Sequence, residues 1–107
     1  VVIKQYTIVL VGLDPTIGAE MKKTRPCVVI SPDEMNDSLQ TVQIAPLTTN
    51  VRAYPWRARI TFQSKKGMVA LDQIRTIDKR RVLKRLGNAR PPIVAAIKRI
   101  LDEMLVR

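Results

Sequence analysis

The chain has 107 residues, 46% of them apolar and only four aromatic (Tyr6, Tyr54, Trp56, Phe62), which predicts one domain around a modest aliphatic core. Its formal net charge of +10 favours a polyanionic partner: nucleic acid, an acidic protein or an anionic membrane surface. With no histidine and a single cysteine, Ser-His-Asp and Cys-His catalysis, a paired-imidazole nuclease, a Cys/His zinc site and an internal disulfide are all excluded.

Tyr6 to Leu13 is rich in branched residues and reads as a strand buried on at least one face. A polar loop follows, Asp14 to Pro26, with turn formers Pro15 and Gly18 and the cations Lys22, Lys23 and Arg25 near its end. Cys27 to Ile30 is a second strand, and Cys27 within it reads as a small buried hydrophobe. Ser31 to Asp37 carries helix-start signals for one short turn. Gln40 to Leu47 alternates as a strand, and Pro46 places it near a sheet edge or at its own end. Arg57 to Phe62 alternates again, Ser64 to Gly67 reads as the hairpin link, and a strand returns from Met68 toward Ile77. Asp78 is placed to N-cap a short helical turn over Lys79 to Leu83, which Gly87-Asn88 ends. Pro91-Pro92 opens a terminal helix from Pro92 to Val106, with Ile93, Ile97, Ile100 and Met104 as its apolar stripe. Many strands followed by one helix predict a mostly β or α+β domain, a small twisted β-barrel with helices packed on it.

No apolar run approaches the roughly 20 residues that span a bilayer, and Val1 to Tyr6 lacks the layout of a signal peptide. A lone buried cysteine suits a reducing cytoplasm. The charge is uneven: residues 75 to 107 hold ten Lys/Arg against three Asp/Glu. The run Lys79-Arg80-Arg81 with Lys84-Arg85 is either a solvated face or an added attraction for RNA. Arg25 stands at the mouth of a strand, held extended by Pro26. It either finishes a surface turn or presents a guanidinium to phosphate or carboxylate.

Four blocks, in order, carry a family resemblance. They are Val9 to Glu20 (V-L-V-G-L-D-P-T-I-G-A-E), Lys23 to Pro32 (K-T-R-P-C-V-V-I-S-P), Ile44 to Thr49 (I-A-P-L-T-T) leading to Tyr54-Pro55, and Leu71 to Asp78 (L-D-Q-I-R-T-I-D). In these the chain resembles the MazF/PemK toxin endoribonucleases. The resemblance implies the CcdB/PemK-like plasmid maintenance toxin fold. It also implies a metal-independent, cofactor-free homodimer that cuts single-stranded RNA at short sequences, and a MazE-like antitoxin whose acidic, disordered tail blocks the site. The toxin–antitoxin complex would bind DNA.

Arg25 and Thr48 match the arginine and threonine that the family uses at the scissile phosphate. A fixed guanidinium and a hydroxyl donor suit that chemistry, because charge gathers on phosphate oxygens in the transition state. Thr49 is a supporting candidate. Asp72 matches the aspartate that some members use as general base. Their partner arginine, two positions earlier, is Ala70 here, so Asp72 is either a base or an ordering residue. Glu20 is a base or orients Arg25. Two further departures are Gly12, where relatives often have aspartate, and Thr24, where some have histidine. The loops Ile17 to Lys23 and Asn50 to Trp56 are expected to hold substrate. Thr16, Lys22, Lys23, Thr24, Arg52 and Gln73 are the polar candidates, and Tyr54 and Trp56 would stack bases or tuck into the core. Two other classes stay open: a non-catalytic toxin of the same fold acting on DNA gyrase, and a plain basic nucleic-acid-binding module.

Overall fold

Branched apolar residues fill β1 (Thr7–Gly12) because both faces of this strand are covered. The computed structural model describes residues 2–12 and 23–106. β1 pairs antiparallel with β2 (Thr24–Val29) on one side and with β7 (Val82–Asn88) on the other. Between these come α1 (Asp33–Ser38), β3 (Thr41–Thr48), β4 (Arg57–Phe62), β5 (Lys65–Ala70) and β6 (Arg75–Asp78). The helix α2 (Pro91–Leu101) follows β7. The strands form one antiparallel sheet in the order β4-β5-β3-β2-β1-β7, with β6 beside β3.

Alternation sorts the apolar residues into two cores. Ile8, Val28, Ala45, Ile60 and Val69 face one way and are covered by Ile97 and Ile100 of α2. Val9, Val11, Cys27, Val29, Val42 and Ile44 face the other way and meet Ile3 and Ile77. Burying each of the two isoleucines of α2 contributes about 1.5–3 kcal/mol. The sheet curls as a half-barrel, which brings its edges together: the Phe62 ring lies 3.5 Å from the position a Cβ on Gly87 would take. This is the mostly β, α+β architecture that the element order predicts.

Four details differ from the sequence expectations. Val82–Asn88 is a strand rather than the tail of a helical turn. Its pairing with β1 shifts register twice, and these bulges break the alternation that marks a strand. Only Lys79–Arg81 forms the expected turn, and the Asp78 side chain accepts from the Arg80 amide as its cap. Pro46 lies near the C-terminal end of β3, one of the two places expected for it, but in a central strand rather than at a sheet edge. On that side of β3 the pairing with β6 ends at Ile44 and the pairing with β5 begins at Leu47, so the proline falls in the gap. The β4–β5 hairpin turns at Gln63 and Ser64, whose φ values are 51° and 64°, rather than at Ser64 to Gly67. Finally, α2 gives way to a π-helical turn at Asp102–Val106. The wider winding rotates Met104 off the stripe, leaving it exposed.

Candidate active site

β2 and β3 run side by side with Cys27 opposite Pro46 and Val29 opposite Ile44. Carried two residues further, that register sets Arg25 across from Thr48. Cross-strand partners share a face, so the two side chains lie on the same side of the sheet. Both line a pocket of about 340 Å³, with Thr24 and Pro26 beside Arg25 and with Thr49 beside Thr48. The far wall is the β4–β5 hairpin: Phe62, Gln63, Lys65 and Lys66.

Local structure fixes each group. Thr48 Oγ1 accepts from the Asn50 amide at 3.2 Å, which leaves its hydroxyl proton free to donate. A Cβ on Gly67 would stand 2.6 Å from the Thr48 carbonyl oxygen, so only glycine lets β5 lie this close. Behind Arg25, Cys27 is wholly buried and its thiol points to the Arg25 carbonyl at 3.6 Å. Burial pushes the thiol up to about 12, with Arg25 and Arg75 pulling it partly back. It is a packing residue, as its apolar context predicts.

A second cluster lies at the other end of β4. Arg57 Nε and Nη2 donate to Asp72 Oδ1 and Oδ2 at 3.1 and 3.3 Å. The Asp72 hydrogen bond raises the Arg57 pKa still further. The Arg57 guanidinium also sits 5.2 Å from the centre of the Tyr54 ring, and that ring stacks on Trp56 at 5.1 Å and 11°. Arg52 covers Tyr54 at 5.9 Å, and its Nη1 donates to the phenol oxygen at 3.1 Å.

The sequence candidates therefore divide. Arg25, Thr48, Thr24 and Thr49 share one pocket. Asp72 does not line it and is engaged by Arg57. Tyr54, Arg52 and Trp56 form a separate stack, and Trp56 is 40% exposed rather than tucked into the core. Gln73 is exposed in the 3-10 turn after β5, and Lys23 is exposed just before β2. Thr16, Glu20 and Lys22 lie outside the described residues, as does nearly all of the Ile17 to Lys23 loop. Sequence reasoning missed Gln63, Lys65 and Lys66. The paired lysines were visible, but reading them as a link hid that they are strand residues facing the site.

Among the described lining residues there are cations, hydroxyls and amides but no carboxylate. Such a lining stabilises an anion, and paired with a hydroxyl it suits a phosphodiester. No group of three or more His, Cys, Asp or Glu among the described residues is placed to hold a metal ion.

Residues 4–105 match the model of the PemK-like, MazF-like toxins of type II toxin–antitoxin systems. The chain is 33% identical over 70 residues to the endoribonuclease toxin MazF of Escherichia coli strain K12, a match covering 65% of this chain and 63% of that one. It thus spans less than two thirds of that relative's length. It is 30% identical over 90 residues to the endoribonuclease MazF of Staphylococcus epidermidis, covering 78% and 75% of the two. In structure it is similar to a MazE–MazF crystal structure from Deinococcus radiodurans, with a TM-score of 0.82, 25% identity and coverage of 99% and 97%. Family model, relatives and fold agree, and this chain belongs to the PemK-like, MazF-like toxins of type II toxin–antitoxin systems.

Proposed function

We propose that this protein is the toxin of such a pair and acts as a metal-independent, sequence-specific endoribonuclease on single-stranded RNA. The observation that carries this reading is the meeting of Arg25 and Thr48 in one pocket walled by two lysines. The 2′-OH oxygen attacks the adjacent phosphorus, the P–O5′ bond breaks, and the products are a 2′,3′-cyclic phosphate and a 5′-OH end. Arg25 neutralises charge on the non-bridging oxygens and relays a proton to the leaving O5′, while Thr48 donates to a phosphate oxygen. The proton leaving the 2′-OH passes to a base outside the described pocket lining. Asp72 is disfavoured for that step because Arg57 already holds both its oxygens. Glu20 is assigned to orient Arg25. Lys65 and Lys66 hold the RNA backbone, as do Lys22, Lys23 and Arg52, so binding should fall steeply with salt.

The natural partners in this reading are a second copy of the chain, in a homodimer, and a MazE-like acidic antitoxin segment that orders on the positive surface. Its compartment is the cytoplasm. No helix among the described residues is long and apolar enough to cross a membrane.

The test is incubation with a long mixed RNA in the presence of EDTA, followed by mapping of the ends. Discrete cuts bearing cyclic phosphate are expected, and Arg25→Ala should abolish them without unfolding the protein. Absence of cleavage at any enzyme concentration, or full activity of the Arg25 variant, would overturn the reading. A sedimentation mass of one protomer at micromolar concentration would count against the dimer.

A further inference from the structure

We propose that Arg59 and Lys66 form a second anion site, which holds a phosphodiester flanking the scissile one. This deepens the ribonuclease reading and rests on it.

The register carries the argument. Val11 pairs with Arg25, Thr48 pairs with Met68, and Met68 pairs with Arg59. With Arg25 across from Thr48, these residues make one row over five strands, and all of them point to the same face. Arg59 therefore looks out on the side where Arg25 and Thr48 act. Two strand spacings separate the Thr48 and Arg59 backbones, about 10 Å. Lys66 pairs with Thr61, so it lies diagonally beside Arg59 on that face.

A recess of about 510 Å³ is lined by Arg59, Thr61, Lys66, Gly67 and Met68, by the exposed Val51, and by Ile60 and Ile93 toward the α2-covered core. Ile60, Lys66 and Gly67 line this recess and the Arg25–Thr48 pocket alike, so the two adjoin. The strand R-A-R-I buries Ala58 and Ile60 and turns both arginines to the open face. Their fates differ. Arg57 is committed to Asp72 and Tyr54, whereas Arg59 has no ion pair among the described residues. A guanidinium, an ammonium and a hydroxyl around an apolar wall suit a phosphate with its attached nucleoside. The Tyr54–Trp56 stack, held by Arg57 two residues along β4 and so about 7 Å away, lies next in line, with the exposed Trp56 as the stacking platform. RNA then crosses the strands from the scissile phosphate at Arg25 to a flanking phosphate at Arg59 and on to a base at Trp56.

The experiment uses a single-stranded RNA oligonucleotide carrying the mapped cleavage sequence, with 2′-deoxyribose at the attacking position for binding and ribose for kinetics. Arg59→Gln should lower the slope of log affinity against log salt by about 0.7, raise KM and leave kcat unchanged. Arg59→Lys should keep most of the slope. A neutral methylphosphonate is then placed at each linkage in turn. At one flanking linkage its effect and that of Arg59→Gln should fail to add, which identifies the bound phosphate. Additive effects at every linkage, an unchanged salt slope, or coupling confined to the scissile linkage would overturn the proposal. A wild-type protein that neither binds nor cuts RNA would overturn this inference together with the ribonuclease reading, whereas one that cuts normally beside an Arg59→Gln variant of equal KM would sink this inference alone.

Discussion

The closest approach in the site is made by a residue with no side chain, and it gives the sharpest test. In Gly67→Ala the new Cβ would stand 2.6 Å from the Thr48 carbonyl oxygen, 3.5 Å from its carbon and 4.0 Å from Thr49 Cα. An ordinary carbon–oxygen contact begins near 3.3 Å, so β5 and the end of β3 must part by about 0.7 Å. The atoms in the way are backbone in a paired ladder, and no flexible side chain can swing aside. Overpacking of this kind costs about 1–3 kcal/mol, a fall in Tm on the order of 5–20 °C for a domain of this size. The same displacement moves the Thr48 hydroxyl relative to Arg25. Since a 1 Å misplacement costs about a hundredfold in rate, kcat should fall roughly ten- to a hundredfold. Urea unfolding and RNA cleavage on one preparation measure both. Gly12→Ala is the control: its Cβ meets Leu83 Cδ1 at 3.8 Å and the Arg81 carbonyl at 3.9 Å, both ordinary contacts. That variant should fold and cut normally. A Gly67→Ala protein as stable and active as wild type, or a Gly12→Ala protein equally damaged, would refute the steric argument.

Two other predictions follow from side chains whose roles the packing decides. Asp72→Asn breaks the bidentate pair with Arg57, so it should raise KM by loosening Tyr54 while leaving kcat and its pH profile intact; loss of a limb of that profile would make Asp72 the base instead. Cys27, with its thiol pushed from 9.0 to about 12, stays protonated in the fold after an unfolded chain has lost its proton. Its contribution to stability is whole below pH 9 and is lost as pH rises toward 12, with a slope of up to about 1.4 kcal/mol per unit. Urea midpoints across that range should fall more steeply for wild type than for Cys27→Ala, and equal slopes would contradict the burial.

What the sequence made legible follows the reach of its signals. β4 could be read to the residue because R-A-R-I-T-F alternates without interruption. α2 could be read because two prolines mark its start and a four-three spacing marks its buried stripe. Arg25 and Thr48 came from short ordered blocks that resemble a family, not from periodicity. β7 was missed because two bulges scramble its alternation. Gly67 reads as a turn residue in the sequence because glycine most often marks a turn; its need for close approach appears only when Thr48 is placed beside it. The Arg57–Asp72 pair spans 15 residues, and the proposed place of Arg59 beside the site depends on the pairing of β3, β4 and β5, so neither exists until the strands are in register.

That register also explains how a chain without imidazole can assemble the proposed phosphodiester site. Arg25 is fixed on one side by its pairing with Val11, and Thr48 on the other by its pairing with Met68. The two groups are therefore held by the stiff middle of the sheet, and the turns and loops are left to recognise the substrate. The cost is electrostatic. Arg25, Lys65 and Lys66 converge on a pocket whose described lining offers no carboxylate, in a chain already carrying a net +10. Like charges gathered in this way oppose folding and favour any anion that enters. In the proposed reaction an RNA phosphate would relieve that repulsion during cleavage, and the acidic antitoxin segment proposed above would relieve it at rest. By linkage, a segment present at a hundred times its Kd adds about 2.7 kcal/mol to the stability of the fold it binds. Inhibition and stabilisation would then have one physical origin: the charge proposed to draw RNA into the pocket is the charge that a bound acidic chain would neutralise.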